Sequence, residues 1–269
     1  TTEIYTLSLH DALPICRPVK LTEIMNDEMR TVPITMDQEE VAYLFRQYGL
    51  VSAPVVDAAG RLVGVVTVDD VVHIIDEEAE EDLLKLAGVR ETDLYSAVLD
   101  TTKSRFTWLL VNLFTAVAAS AVIALFEDTL QRVVALAVLM PIVASMGGNA
   151  GTQTLTVAVR ALAMRDLSAG NALRFVGKEI IVGLANGLMF AFLAGVMAWF
   201  WFDAPMIGVI IAAAMVLNLV VAALSGALVP LGLEKIGVDP AVASSVVLTT
   251  VTDIIGFFAF LGLATLFIL

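Results

Sequence analysis

The chain has 269 residues, 59% of them hydrophobic and only 16% charged, with a formal net charge of −13. So apolar a composition excludes an ordinary soluble domain of this length, and the apolar residues gather after Arg105. The acidic balance removes the basic surface that phosphate binding needs, so no nucleic-acid partner is expected, whereas acidic oxygen-rich faces suit hard cations. A single cysteine, Cys16, excludes an internal disulfide framework and a thiolate metal cluster.

The first sixteen residues, TTEIYTLSLHDALPIC, lack the basic start and continuous apolar core of a signal peptide. They are expected to be a translated cloning or sequencing-adapter scar fused to a truncated gene, and His10 and Cys16 are set aside with them. Residues 17–75 have the pattern of a compact α/β unit. In EEVAYLFRQYG the spacing of Val41, Leu44, Phe45 and Tyr48 predicts a helix ending on Gly49. SAPVVD predicts a short buried strand, AAG a turn at Gly60, and RLVGVVTV a second strand. DDVVHIID begins another helix, with Asp69 or Asp70 as its expected cap.

That order, with GRLVGVVTVDD, resembles a CBS module. In that family a Thr-x-x-Asp, here Thr67 and Asp70, often contacts an adenosine ribose. CBS modules normally pack in pairs, so a partner module is expected either upstream or from a second subunit.

Residues 76–104 read as an acidic connecting helix. Asp76 to Asp82 is DEEAEED, six acids in seven residues, on a helix expected to reach Leu86. Like charges at i,i+4 destabilise a helix by roughly 0.2–0.5 kcal/mol per pair, so the run needs either plain solvation or a compensating cation. Residues 105–269 hold five apolar stretches at 106–126, 131–159, 174–202, 205–233 and 241–268. Each is near or above the roughly 20 residues that cross a bilayer. Lys103, Arg105, Arg160, Arg165, Arg174, Lys178 and Lys235 fall on alternate connections, while Glu127, Asp128 and Asp203 fall on the others with only Arg132 opposing. The positive-inside rule then predicts a cytoplasmic N-terminal region and an outside C-terminus, in a cell membrane.

Two features break the apolar pattern. Ser145, Asn149, Thr152, Gln153, Thr156 and Arg160 advance by three or four residues, a single polar stripe on the second span. Gly147, Gly148 and Gly151 beside it, and Gly183-x-x-x-Gly187 in the third span, permit close backbone approach. Taken alone, the stripe could be interhelical glue. Asp253 shifts that balance, because it lies mid-span with Thr249 and Thr250 on its face and no lysine or arginine at its depth. A mid-span acid costs about 2.5–3.5 kcal/mol on insertion scales, and such residues by default mark an ion or proton route. The bland alternative is a structural carboxyl hydrogen-bonded to a threonine. Asn218 and Ser225 on the fourth span are expected to extend the same polar lining.

PIVASMGGNAGTQTLTVAVRAL, the acidic helix behind a CBS module, the five spans and DPAVASSVVLTTVTDIIGFF together resemble the MgtE family of magnesium channels and transporters, over about residues 17–269. The resemblance implies an all-α membrane domain behind a small α/β module. It also implies a homodimer embedded in lipid, with one pore on the two-fold axis. The family's pore aspartate maps to Asp253, and Gly148, Asn149, Thr249 and Thr250 belong to the pore motifs. The acidic helix is implied to be a plug on which cytosolic Mg2+ holds the closed state, through Asp70, Glu78, Glu81, Asp82 and Asp239. His73 stands where a further acid is expected. Gly49 and Leu50 replace the acid and aromatic with which some relatives hold nucleotide, which weighs against ATP at Thr67 and Asp70.

Magnesium keeps its waters and takes oxygen ligands, and this stretch offers oxygen and no His or Cys. The competing transport readings are a carrier for Co2+ or Mn2+, or a cation/proton exchanger using Asp253. A CBS sensor with a mere anchor would need no mid-span acid. An intramembrane enzyme lacks HExxH, paired catalytic aspartates or a serine–histidine partnership, so no enzymatic activity is expected.

Overall fold

The computed structural model describes residues 30–89, 97–168 and 170–268, the side chains of 243 and 244 apart. The first sixteen residues, with His10 and Cys16, and the start of the CBS-like unit lie outside the described residues. The chain divides into two compact units, Thr1–Ala79 and Glu80–Leu269.

In the first unit β1 (Val32–Pro33) pairs in parallel with β2 (Ser52–Val56), and β2 pairs antiparallel with β3 (Leu62–Thr67). Between β1 and β2 lies α1 (Gln38–Tyr48). Asp37 starts that helix by accepting from the Glu39 amide at 3.1 Å. Gly49 ends it in the left-handed region at φ 60°, where glycine has no Cβ penalty. The β2–β3 turn is organised by Asp57, whose Oδ1 accepts from the Ala59 and Arg61 amides at 2.9 Å each. Val32, Val41, Ala42, Phe45, Ala53 and Val71 form the small core. The helix and both predicted strands are present; β1, two residues long, is too short to leave a periodic signal.

Helix α2 (Val68–Leu86) runs unbroken through the acidic stretch. It starts before the expected caps. Thr67 stands just ahead of it, and Asp70, at the third helical position, reaches back with Oδ2 to the Thr67 amide at 3.0 Å and hydroxyl at 2.7 Å. This is the reaching-back half of a capping box, so neither Asp69 nor Asp70 is the residue that precedes the helix.

The second unit is helical: α3 (Val98–Ala124), a short α4 (Glu127–Arg132), α5 (Val134–Ala163), α6 (Ala172–Phe202), α7 (Pro205–Lys235) and α8 (Pro240–Ile268). Five of them are long and apolar enough to cross a membrane, the last over Ser245–Ile268. Helix α7 lies at the centre, contributing Ile210, Ile211, Ala214, Met215 and Leu219 to a core shared with α5, α6 and α8. Glycine lets α6 and α7 approach backbone to backbone. A methyl at Gly187 would lie 3.2 Å from Val216 Cα, and one at Gly195 would lie 2.9 Å from the Gly208 carbonyl oxygen. Of α3 only Ala119 is buried, so this span presents nearly its whole length outward.

Candidate ion-binding site

The polar stripe of α5 is open along its length. Ser145, Asn149, Thr152, Gln153, Thr156 and Arg160 are all exposed, while Leu139, Val143, Gly147, Gly151, Leu155, Ala158 and Val159 on the other side are buried. The 3.6-residue period alone divides these faces. The hydroxyls satisfy themselves locally. Thr152 donates to the Gly148 carbonyl at 2.8 Å and Thr156 to the Thr152 carbonyl at 2.9 Å, while Asn149 Nδ2 lies 3.4 Å from Ser145 Oγ. The side chains stay exposed all the same, and a methyl at Gly148 would meet only open space. A face of hydroxyls, two amides and bare backbone can take a hydrated cation through its waters.

On α8, Asp253 is half-buried and forms no hydrogen bond or ion pair among the described residues. The threonines beside it do not serve it. Thr249 donates to the Ser245 carbonyl at 3.0 Å, and Thr250 donates to the Val246 carbonyl at 2.6 Å. Each hydroxyl is turned onto its own helix backbone, and neither is bonded to Asp253. Helices α5 and α8 pack together, and a methyl at Gly151 would lie 2.8 Å from Leu248 Cδ1. No hydrogen bond joins Asn149 to Asp253 within one chain.

Asn218 departs from expectation. Rather than lining an open path beside Ser225, which is partly exposed, it is wholly buried and donates through Nδ2 to the Val143 carbonyl at 2.8 Å. The cause is the central position of α7 at this level, where Gly147 of α5 and Gly256 of α8 both lie against the Asn218 side chain.

The five acids implied to regulate are dispersed. Asp70 is held by Thr67, whose hydroxyl and then amide keep its carboxyl below the usual range, and Glu78 accepts from Gln38. No group of three or more metal-ligating side chains forms among the described residues. Glu81 and Asp239, 158 positions apart in the chain, are brought to one point by Lys85. Its Nζ lies 2.6 Å from Glu81 Oε1 and 2.8 Å from Asp239 Oδ2. Burial acts to lower the Lys85 pKa, but the Asp239 and Glu81 carboxylates outweigh it and hold it above an ordinary lysine. Asp239 also caps α8, its Oδ1 accepting from the Ala241 amide at 2.8 Å.

The family model described as MgtE, a divalent cation transporter, matches residues 140–263, and that of the CBS domain matches 21–77. The magnesium transporter MgtE of Thermus thermophilus is 39% identical over 263 residues, 97% of this chain and 58% of that protein. Those of Bacillus subtilis and Enterococcus faecalis are each 34% identical, over 93% and 97% of this chain and 55% and 58% of their own lengths. The chain belongs to the MgtE family. With five apolar helices it is a multi-pass membrane protein, and it spans just over half the length of these relatives.

The MgtE match covers the α5 stripe and Asp253 together. Two contacts of this MgtE-family chain were not legible beforehand. Lys85 is one: a lone cation after six acids reads as an ordinary i,i+4 partner. The other is Glu179 on α6, only 7% exposed, whose Oε2 accepts from Thr154 on the inner side of α5 at 3.0 Å. Lys178-Glu179 in sequence reads as a charged pair at a span's end. The only hint was a threonine on the apolar side of α5.

Proposed function

We propose that this chain forms the membrane domain and adjoining CBS unit of a magnesium channel. Magnesium is the substrate, taken hydrated between Asp253 residues of two copies. The observation that carries this reading is the uncovered polar face of α5 alongside an unpaired carboxylate on α8. A face of this kind is unstable against lipid, because polar groups in hydrocarbon need partners or water. A second copy related by a two-fold axis covers it and leaves a water-filled path between the two stripes. Asp253 from each copy then supplies charge, and Asn149, Gly148, Thr249 and Thr250 supply oxygens to the ion's water shell. A strongly hydrated Mg2+ tolerates such a site, since it gives up water reluctantly. The names of the relatives, all magnesium transporters, support the choice of ion.

Regulation follows the Lys85 contact. Glu81 and Asp239 converge on one positive charge, which supports a cation place between them, and there Lys85 and cytosolic Mg2+ compete. Residues 17–75 serve as the CBS unit, 76–104 as the connecting helix and 105–269 as the conducting domain. The N-terminal region lies in the cytoplasm and the C-terminus outside, by the basic connections. Reporter fusions at Asp203 and Leu269 should both read outside; a cytoplasmic signal at either breaks the topology. Thr67 and Asp70 already bond each other, which agrees with a unit that works without ATP.

The direct test is Mg2+ flux into liposomes holding the purified chain, with Co2+, Mn2+ and Ca2+ as competitors and a pH-sensitive dye inside. Mg2+ uptake without counter-movement of protons is expected. Uptake of Co2+ or Mn2+ in preference, or strict proton exchange, replaces the magnesium channel by the competing transport readings.

A further inference from the structure

We infer that Asn218 is a positioning residue for the ion path, setting how far apart and at what rotation α5 and α8 stand. The inference rests on the reading of that path given above. Asn218 is 0% exposed, at the point where α5, α7 and α8 meet. Its Nδ2 donates to the Val143 carbonyl, an oxygen that can only accept, so the amide's orientation follows from its partner. Two glycines make the room. A methyl at Gly256 of α8 would lie 2.8 Å from Asn218 Nδ2, and one at Gly147 of α5 would lie closer still. One side chain of α7 is thus seated in a notch from each neighbour and bonded to the backbone of one of them.

The registers place this junction beside the proposed site. Gly256 is three residues after Asp253, less than one helical turn, and Gly147 is two residues before Asn149, on the opposite side of α5. Pressure from the amide on Gly147 therefore acts through the helix on the Asn149 face. The contact at Gly256 fixes the rotation that aims Asp253.

The arrangement is not the most stable available. Asn218 Oδ1 is buried and finds no donor among the described residues. A buried acceptor left unpaired is destabilising, and a leucine, bulkier but branched alike at Cγ, carries no acceptor. A local rule broken inside a well-packed helix junction points to geometry kept for function.

The test compares Asn218→Leu with wild type in liposomes, each read in three ways. These are initial Mg2+ flux, the Mg2+ to Co2+ flux ratio, and the distance between spin labels at Ser145→Cys and Thr249→Cys, in a chain whose Cys16 is replaced by serine. The expected result is a fall of about tenfold in Mg2+ flux, since small misplacements in a preorganised site are costly. It comes with a changed ratio, a shifted distance and a melting temperature within about 3 °C of wild type. Wild-type flux, ratio and distance in the leucine variant would reduce Asn218 to packing and overturn the inference. If that variant fails to fold, Asn218→Ala carries the test with the same expected shifts, and an unchanged ratio and distance overturn it. The label distance keeps the two readings apart. A wild type that moves no divalent ion sinks the ion path, yet an unaltered distance in the variant still refutes the positioning role by itself.

Discussion

Carboxylates occur in two very different settings here. Along α2 and at the start of α8 the chain supplies partners of its own: Thr67 for Asp70, Gln38 for Glu78, and Lys85 for Glu81 and Asp239. Asp253, in a far more costly place, has none among the described residues. The difference is instructive because burial raises the penalty for an unpaired charge. Where solvent is near, the chain still supplies donors to these four acids, Lys85 alone bringing a positive charge. The half-buried Asp253 is left bare among the described residues, and under the proposed function an external cation supplies its charge partner.

The sharpest way to break the contrast is to remove the bare acid. Asp253→Ala is expected to leave a folded protein, since an insertion cost is relieved, and to reduce Mg2+ flux below about a tenth of wild type at matched incorporation. Asp253→Asn, which keeps shape without charge, should lose most of it too. Asn149→Ala should act mainly on selectivity. Near-normal flux in Asp253→Ala ends the pore assignment.

Next is the neutralised side. Lys85→Met leaves Glu81 and Asp239 facing each other. Without Mg2+ the variant should lose protection of α2 from protease, and added Mg2+ should restore it at lower concentration than in wild type. Each ion pair is exposed enough to be worth at most about 1 kcal/mol, so the half-protecting concentration should move by about two- to tenfold. Unchanged protection without Mg2+ would show that the bridge holds nothing. Conversely, neutralising Glu78, Glu81 and Asp82 together should make flux less responsive to cytosolic Mg2+. If that variant closes as readily as wild type, the acids are solvated surface.

Glu179 is an intermediate case, an acid nearly buried yet served by the Thr154 hydroxyl at 3.0 Å and by Lys178 Nζ at 3.7 Å. Thr154→Val keeps the shape and removes the hydroxyl, so thermal stability in detergent should fall by about 1–3 kcal/mol. An unaltered melting temperature would mean that Glu179 is served from elsewhere. The smallest effect belongs to Asp70. Its carboxyl titrates below the usual range, so the Thr67 contact stabilises above about pH 4 and is lost as pH falls through the lower folded value. Thr67→Val should therefore blunt the loss of helix signal as pH falls below about 4. A matching acid transition in both proteins would assign it to other groups.

Much of this protein was written locally. The spans are legible because a bilayer demands about 20 apolar residues whatever the neighbours are. The α5 stripe is legible because one helix's period sorts its own faces, and Asp253 because no cation shares its depth. Gly49, Gly60 and Asp57 announce their turns through backbone chemistry confined to a few residues. What only the tertiary structure decided are the pairings across long separations. Lys85 meets Asp239 over 154 positions, Glu179 meets Thr154 over 25, and Asn218 meets Val143 over 75. In sequence each polar residue looked either solvated or available to a lining. Packing of α7 at the centre turned Asn218 inward, and the fold carried one lysine between two acids, because partners are chosen by distance in space and only the assembled helices set that distance.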